Sequence, residues 1–175
     1  MSAPPSPFLA EAWSRGAPEG PVLDLACGRG RHARWLAARG EAVVALDRDA
    51  AALGALRGPP GPGSRCWVVR ADLERGAGIP ARDGAFGAVV VFRYLHRALA
   101  AEIERVLRPG GWLVYETFTR RQAAYAHGPS RPEFLLESGE ILLLFPGLRM
   151  IHFEELVTEG ERPEALARLL ARKPG

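Results

Sequence analysis

"VLDLACGRGRHARWLAARG", residues 22–40, decides how this chain is read. The apolar run Val22–Leu25 carries one aspartate, Asp24, and two glycines, Gly28 and Gly30, follow one residue apart. A helix-like stretch, Arg31–Arg39, opens at once and closes on Gly40. With Ala33 the spacing is G-x-G-x-x-G/A, placed directly after a strand and at the opening of a helix. Glycine permits backbone angles closed to other residues and removes the Cβ that would obstruct a ligand. In an open α/β sheet this turn lies at the carboxyl end of the first strand, beside the topological switch point where ligands bind. A nucleoside-bearing ligand is therefore expected.

Outward from the turn, strands and helices alternate. "AVVALD" (42–47) reads as a second strand, "RDAAALGALR" (48–57) as a helix, and "PPGPGS" (59–64) as a loop. "RCWVVRAD" (65–72) is a third strand. "AFGAVVVF" (85–92) is continuous and β-branched, as a central parallel strand buried on both faces should be. A helical "RALAAEIERVLRPGG" (97–111), stopped by Pro109-Gly110-Gly111, precedes the strand "WLVYETF" (112–118). This alternation predicts a parallel sheet with right-handed crossovers.

Residues 4–16 read as a helix ahead of the first strand, outside the sheet unit. Ser130 with Glu133 fits a capping box, which predicts a helix start there, ahead of "PEFLLESGEILLLF" (132–145). "LRMIHFEELV" (148–157) is a strand. "ALARLLARK" (165–173) has helical apolar spacing but the position of a closing edge strand, and a strand is expected. The fold class is thus α/β, a Rossmann-like doubly wound, mostly parallel sheet closed by an antiparallel C-terminal hairpin. One domain is expected over 1–175: an N-terminal helix and extension (1–19), a cofactor-binding core (20–118), a lid loop and helix (119–146) and closing strands (147–175).

Composition narrows the partners. A chain of 175 residues is long enough for one proper core. Lys173 is the only lysine among 23 Lys and Arg, so 22 are arginines, and acids are interspersed among them. A nucleic-acid footprint would be a patch or stripe, so nucleic acid is not the expected partner. The two cysteines, Cys27 and Cys66, form no CxxC or Cys/His cluster, which argues against zinc and against a disulfide framework. No stretch approaches the ~20 apolar residues of a membrane span. The N-terminus lacks the basic and apolar regions of a secretory signal, so a cytoplasmic, non-membrane protein is the expectation.

The carboxylates choose between nucleoside ligands. Asp47, ending the second strand, can accept from both ribose hydroxyls, which serves NAD and S-adenosylmethionine (SAM) alike. Asp24 discriminates: a pyrophosphate would be repelled by it, whereas a methionine moiety carries an ammonium and a sulfonium. Asp72 supplies an acceptor of the kind that takes an adenine amino proton. Short-chain dehydrogenase chemistry would need Tyr-x-x-x-Lys, yet Tyr94, Tyr115 and Tyr125 are followed four residues on by Ala98, Thr119 and Pro129.

"VLDLACGRGRHARWLA", "VVALDRD", "VVRADLE", "FGAVVVFRYLHR" and "LRPGGWLVYETF" resemble the successive motifs of class I SAM-dependent methyltransferases, in the family's order. Among these the chain looks most like the small enzymes grouped with tellurite-resistance-type and other methyltransferase-domain proteins. The resemblance implies that Asp24, Ala26, Cys27, Gly28 and Gly30 line the methionine end of SAM. It implies that Asp47 and Arg48 hold the ribose, that Asp72 and Leu73 meet the adenine, and that Phe92 and Arg93 border the methyl. S-adenosylhomocysteine (SAH) would be the product. A departure is the segment between Asp72 and Phe86, too short for a full helix and expected as a loop.

Methyl transfer from a sulfonium is an in-line displacement with a neutral leaving group, so the protein's task is positioning, with a base only for a protonated nucleophile. The stretch "FRYLHR" lacks the Asn/Asp-Pro-Pro-aromatic signature of exocyclic-amine methylation, and it has no cysteine for cytosine-C5 chemistry. Tyr94 and His96 are candidates for base or positioning, and Glu116 for orienting a substrate. Arg120, Arg121 and Tyr125, in the long loop after the fifth strand, are expected to bind a small anionic acceptor. A SAM-binding module without turnover and RNA methylation are the alternatives.

Overall fold

The computed structural model describes residues 4–56, 65–76 and 78–175. Val22–Leu25 (β1), Val43–Asp47 (β2), Cys66–Arg70 (β3), Phe86–Phe92 (β4), Leu107–Phe118 (β5), Arg149–Val157 (β6) and Ala165–Arg172 (β7) form one sheet. Its order is β3-β2-β1-β4-β5-β7-β6. Strands β1 to β5 pair in parallel, and β7 lies antiparallel between β5 and β6. This is the class I methyltransferase arrangement. The chain builds outward from β1 to β3, then returns to lay β4 on the other side of β1. The carboxyl ends of β1 and β4 thus flank the crevice where open α/β sheets bind ligands.

Side-chain alternation sorts two apolar layers. Leu23, Leu25, Val89 and Val91 face a layer that includes Ile103 and Val106 of α4 (Ala100–Val106). Val22, Val90 and Val114 face Phe8, Leu9 and Ala12 of α1 (Pro7–Ser14) and Ala33 and Leu36 of α2 (Arg31–Ala37). By the same alternation Asp24 falls on the second face. All seven residues of β4 are buried, as its unbroken apolar run requires.

Several boundaries differ from the sequence reading. α1 is shorter than 4–16 and is not set apart from the sheet unit: its apolar side joins the core beneath the sheet. The helix expected over 48–57 is α3 (Ala50–Gly54), with Asp49 as its cap, accepting from Ala51 and Ala52. The loop expected over 59–64 lies outside the described residues. The helix expected to reach Pro109 stops at Val106, and β5 begins at Leu107, which pairs with Phe86. Backbone bonds from Gly110 to Lys173 and from Lys173 to Gly111 draw this stretch to the end of β7.

The capping box at Ser130 and Glu133 does not form. Pro132–Phe134 is a single 3-10 turn with no side-chain cap, and Glu133 pairs with Arg131. The helix starts later, as α5 (Glu140–Leu144), after Gly139 at φ 72°. The ambiguous last segment is a strand. Ala165–Ala167 and Leu169–Ala171 are buried, because β7 is held by ladders on both sides rather than on one.

Candidate active site

Two adjoining cavities open at the carboxyl ends of the parallel strands. The larger, 930 Å³, is bounded by the glycine turn, by Arg31 and His32 of α2, and by Phe92. The smaller, 390 Å³, is bounded by Asp47, Asp72, Leu73, Tyr94 and Leu95. Ala26 and Arg93 line both. These two are also the non-glycine residues with positive φ among those described, at 53° and 58°. Left-handed backbone at a residue with a Cβ costs about 1–3 kcal/mol and persists where the surroundings impose it, most often at functional sites. The strain therefore sits where the two cavities join.

The two glycines have different tasks. At Gly28, φ is 54° and a Cβ would meet nothing within 4 Å, so the missing side chain leaves open space over the turn. At Gly30, φ is 74° and a Cβ would collide with the Leu56 side chain. Gly28 clears room for a ligand, and Gly30 lets α3's end pack against α2. Asp47 pins the turn to β2: its Oδ2 accepts from the Gly28 amide at 2.7 Å and its Oδ1 from the Asp49 amide at 2.9 Å. A carboxylate has about four lone-pair positions, so two remain for ribose hydroxyls.

Asp24 is 1% exposed. Its Oδ2 accepts from the Ala33 amide at 2.9 Å, so the same carboxyl that borders the larger cavity also serves the first turn of α2. Burial pushes its pKa up to about 7, against the opposing effects of that hydrogen bond and of Arg31. A cationic ligand would favour the ionised form. Cys27, expected in the cofactor wall, is there, but burial pushes its thiol far up and leaves it inert. Across the smaller cavity Arg48 reaches Glu74 at 2.8 Å, and Asp72 accepts from the Glu74 amide at 3.1 Å. Leu73 and Leu95 supply apolar walls. Carboxylates at the methionine end and at the ribose, apolar walls for a base, and a cleared turn together fit SAM.

The acceptor-side expectations need correction. Glu116 is 0% exposed, and both oxygens are engaged. Oε1 accepts from Ser6 Oγ and from Arg93, both at 2.9 Å, and Oε2 accepts from Arg168 at 2.6 Å. Its oxygens are taken by the protein's own Ser6, Arg93 and Arg168. Tyr94 does line the smaller cavity, yet burial and the Glu74 carboxylate push its hydroxyl up to about 12, so it is a donor rather than a base. His96 directly precedes the 3-10 turn Arg97–Leu99, makes no side-chain cap there and borders neither cavity.

Arg120, Arg121 and Tyr125 also border neither. Arg120 is tied to Glu137, Arg121 is exposed, and Tyr125 stacks with His127. What this segment brings to the cavity is Pro129 and Phe134. It is also anchored: fully buried Gln122 donates to His127 and accepts from the Ala165 amide, each at 2.8 Å.

Four residues that reading the sequence missed complete the site. Arg31 and His32 follow the glycine turn directly, and their position was the available signal. His32 packs its ring 4.0 Å from that of Phe92 and accepts from the Ser6 amide at 3.2 Å; burial drives its pKa down to about 3, so it is neutral. Ser6 and Glu164 carry no local signal, because they arrive from 26 and 71 residues away from their partners His32 and Arg93.

A model of the family described as "Methyltransferase domain" matches residues 22–111. Among solved structures, TehB from Haemophilus influenzae superposes with a TM-score of 0.77 at 17% identity, over 99% of this chain and 63% of that one. A structure described for conversion of a disulfide bond into a thioacetal group during echinomycin biosynthesis gives 0.76 at 21% identity, over 98% and 82%. A SAM-dependent methyltransferase from Methanosarcina mazei gives 0.73 at 17%, over 98% and 99%. No curated protein sequence matches the chain. Because the matched segment runs from β1 into β5 and takes in the strand ends that form both cavities, the chain belongs to the methyltransferase-domain family and is a SAM-dependent methyltransferase.

Proposed function

We propose that the acceptor is a small molecule, methylated where the two cavities meet. The observation that carries this reading is the pairing of two adjoining clefts that share Ala26 and Arg93, the two strained positions. A cavity of a few hundred Å³ is the size of a small-molecule site. The arginine surplus does not oppose it: Arg97, Arg105, Arg108, Arg120 and Arg131 are paired with carboxylates of this chain rather than arrayed for phosphates.

When bound, SAM supplies a methyl on a sulfonium that departs as a neutral thioether. Asp24 holds the ammonium end, Asp47 the ribose and Asp72 the adenine edge. Arg93 fixes the floor between nucleoside and acceptor, and its own position is set by Glu116 from β5 and by Glu164 from the loop ahead of β7. Tyr94 stays protonated and donates. Among the described residues lining the cavities, each carboxylate already accepts from a donor of this chain and His32 accepts from the Ser6 amide, so the chain's contribution is orientation of the two reactants rather than proton abstraction. An acceptor that arrives already as an anion or a free amine suits this set.

Incubation with methyl-labelled SAM and, separately, a fractionated metabolite pool or total RNA tests the reading. Label in a low-mass product with matching SAH release is expected. Label in RNA, or intact SAM binding with no SAH from any fraction, would overturn it.

A further inference from the structure

The smaller cavity has two unlike sides. Asp47, Arg48, Asp72 and Glu74 line it just beyond β2 and β3, where the nucleoside is assigned. Across β1 and β4, from the end of β5 and the segment after it, come Phe118, Pro129 and Phe134. Among the described residues, this second side offers the cavity no charge and no hydrogen-bonding side chain.

Phe134 is the informative residue. It is 40% exposed, whereas Leu135 and Leu136, next in the chain, are 0% exposed. The backbone around it is braced. The Arg97 guanidinium donates to the carbonyls of Glu133 and Leu135, on either side of Phe134, each at 2.9 Å. The Leu136 amide donates to the Phe118 carbonyl at 2.9 Å, and Leu135 packs with Phe118 in one apolar cluster. The chain thus holds a phenyl ring in place at a cavity wall and leaves much of it in water. Arg131 and Glu133, paired with each other, rim it. A fixed apolar surface with a polar rim marks a binding surface, and covering it with an apolar group releases its water. Phe118 carries this surface inward: the Arg93 guanidinium lies 5.1 Å from its ring centre, and Arg93 stands where the two cavities meet.

We infer that Phe118, Pro129 and Phe134 form an apolar subsite for the acceptor, and that the acceptor places an uncharged, ring-sized apolar group there. This rests on the methyltransferase reading and adds the substrate's chemical class. The body of the acceptor is recognised by burial, and the segment after β5 contributes these apolar side chains rather than its arginines.

The test uses the full chain saturated with SAH, so that the nucleoside side is filled. Indole, an apolar ring, and methyl glucoside, a polar one, are titrated into the wild type and Phe134→Ala. SAH affinity and thermal unfolding without ligand are measured for both proteins. The expected result is that indole binds the SAH-saturated wild type, that methyl glucoside does not, and that Phe134→Ala weakens indole binding about tenfold. SAH affinity stays within about twofold of wild type. The unfolding temperature stays within about 2 °C, because the ring is only partly buried in the free protein.

Absence of indole binding to the SAH-saturated wild type, or equal binding by wild type and Phe134→Ala, would overturn the subsite. Methyl glucoside binding as tightly as indole would overturn its apolar class. Loss of SAH affinity in Phe134→Ala would give Phe134 to the cofactor, and indole binding that SAH abolishes would place the probe on the nucleoside side; either overturns the inference. Failure of the wild type to bind SAH would overturn the underlying methyltransferase reading, a separable result. If Phe134→Ala does not fold, Phe134→Gln replaces it, with the same loss of indole binding expected and unchanged binding as the refuting result.

Discussion

Folding buries Asp24 and raises its pKa from 3.8 to about 7, and this has a measurable consequence for stability. Between those values the folded protein keeps a proton on Asp24 that the unfolded chain has released. Stability therefore falls as pH rises through that window, by about 1.4 kcal/mol per pH unit for this group alone. The full gap of about three units amounts to about 4 kcal/mol lost between pH 4 and pH 7. Other carboxylates run the opposite way. Glu102, Glu140 and Glu154 are held below their usual range mainly by hydrogen bonds from Arg105, Arg97 and Arg168, so their contributions are present above that range and lost on acidification. Asp24→Asn isolates the effect, because asparagine keeps an oxygen for the Ala33 amide and cannot ionise. Urea unfolding of ligand-free wild type and Asp24→Asn, at pH 4 to 8, should show the variant gaining on the wild type by several kcal/mol as pH rises, levelling off above about 7. A flat difference across this range would refute the reasoning.

Gly28→Ala should cost about 1 kcal/mol from its left-handed backbone yet weaken SAH binding about tenfold or more, because its Cβ enters open space. Gly30→Ala should show the reverse balance, with the larger stability loss in urea, because Leu56 must move. Glu116→Ala leaves Arg93 and Arg168 without their shared buried partner and should cost about 3–5 kcal/mol; a loss below about 1 kcal/mol would contradict the network. Gln122→Ala removes the anchor of the segment after β5 and leaves the Ala165 amide unpaired, costing about 1–3 kcal/mol; limited proteolysis should then cut within 119–131 faster than in the wild type.

The parallel half of the fold was legible because its signals are local. An apolar run, a glycine turn and the next strand lie within a few residues of one another, and Asp24, Asp47 and Asp72 fall at strand ends where the register can be counted. What escaped is set by distant contacts. Ser130 and Glu133 have the spacing of a capping box, but Arg131 takes the glutamate and Arg97 holds the carbonyls of Glu133 and Leu135, so a turn forms in place of a helix start. Leu107 reads as a helix end because Pro109 follows, whereas its pairing with Phe86 is invisible until the sheet exists. Glu116 looked like an available acid at a sheet edge; that Ser6, 110 residues away, and Arg168, 52 residues away, close over it cannot be read locally.

The central claim is that a carboxylate beside a cleared turn selects a cationic sulfur nucleoside over a dinucleotide. Thermal unfolding of the wild type with SAM, SAH or NAD, each at about 100 times the cofactor's dissociation constant, tests it most directly. SAM and SAH should each stabilise by about 2.7 kcal/mol, a shift of roughly 5–10 °C, while NAD leaves the transition unmoved. A shift with NAD and none with either sulfur nucleoside would contradict the account.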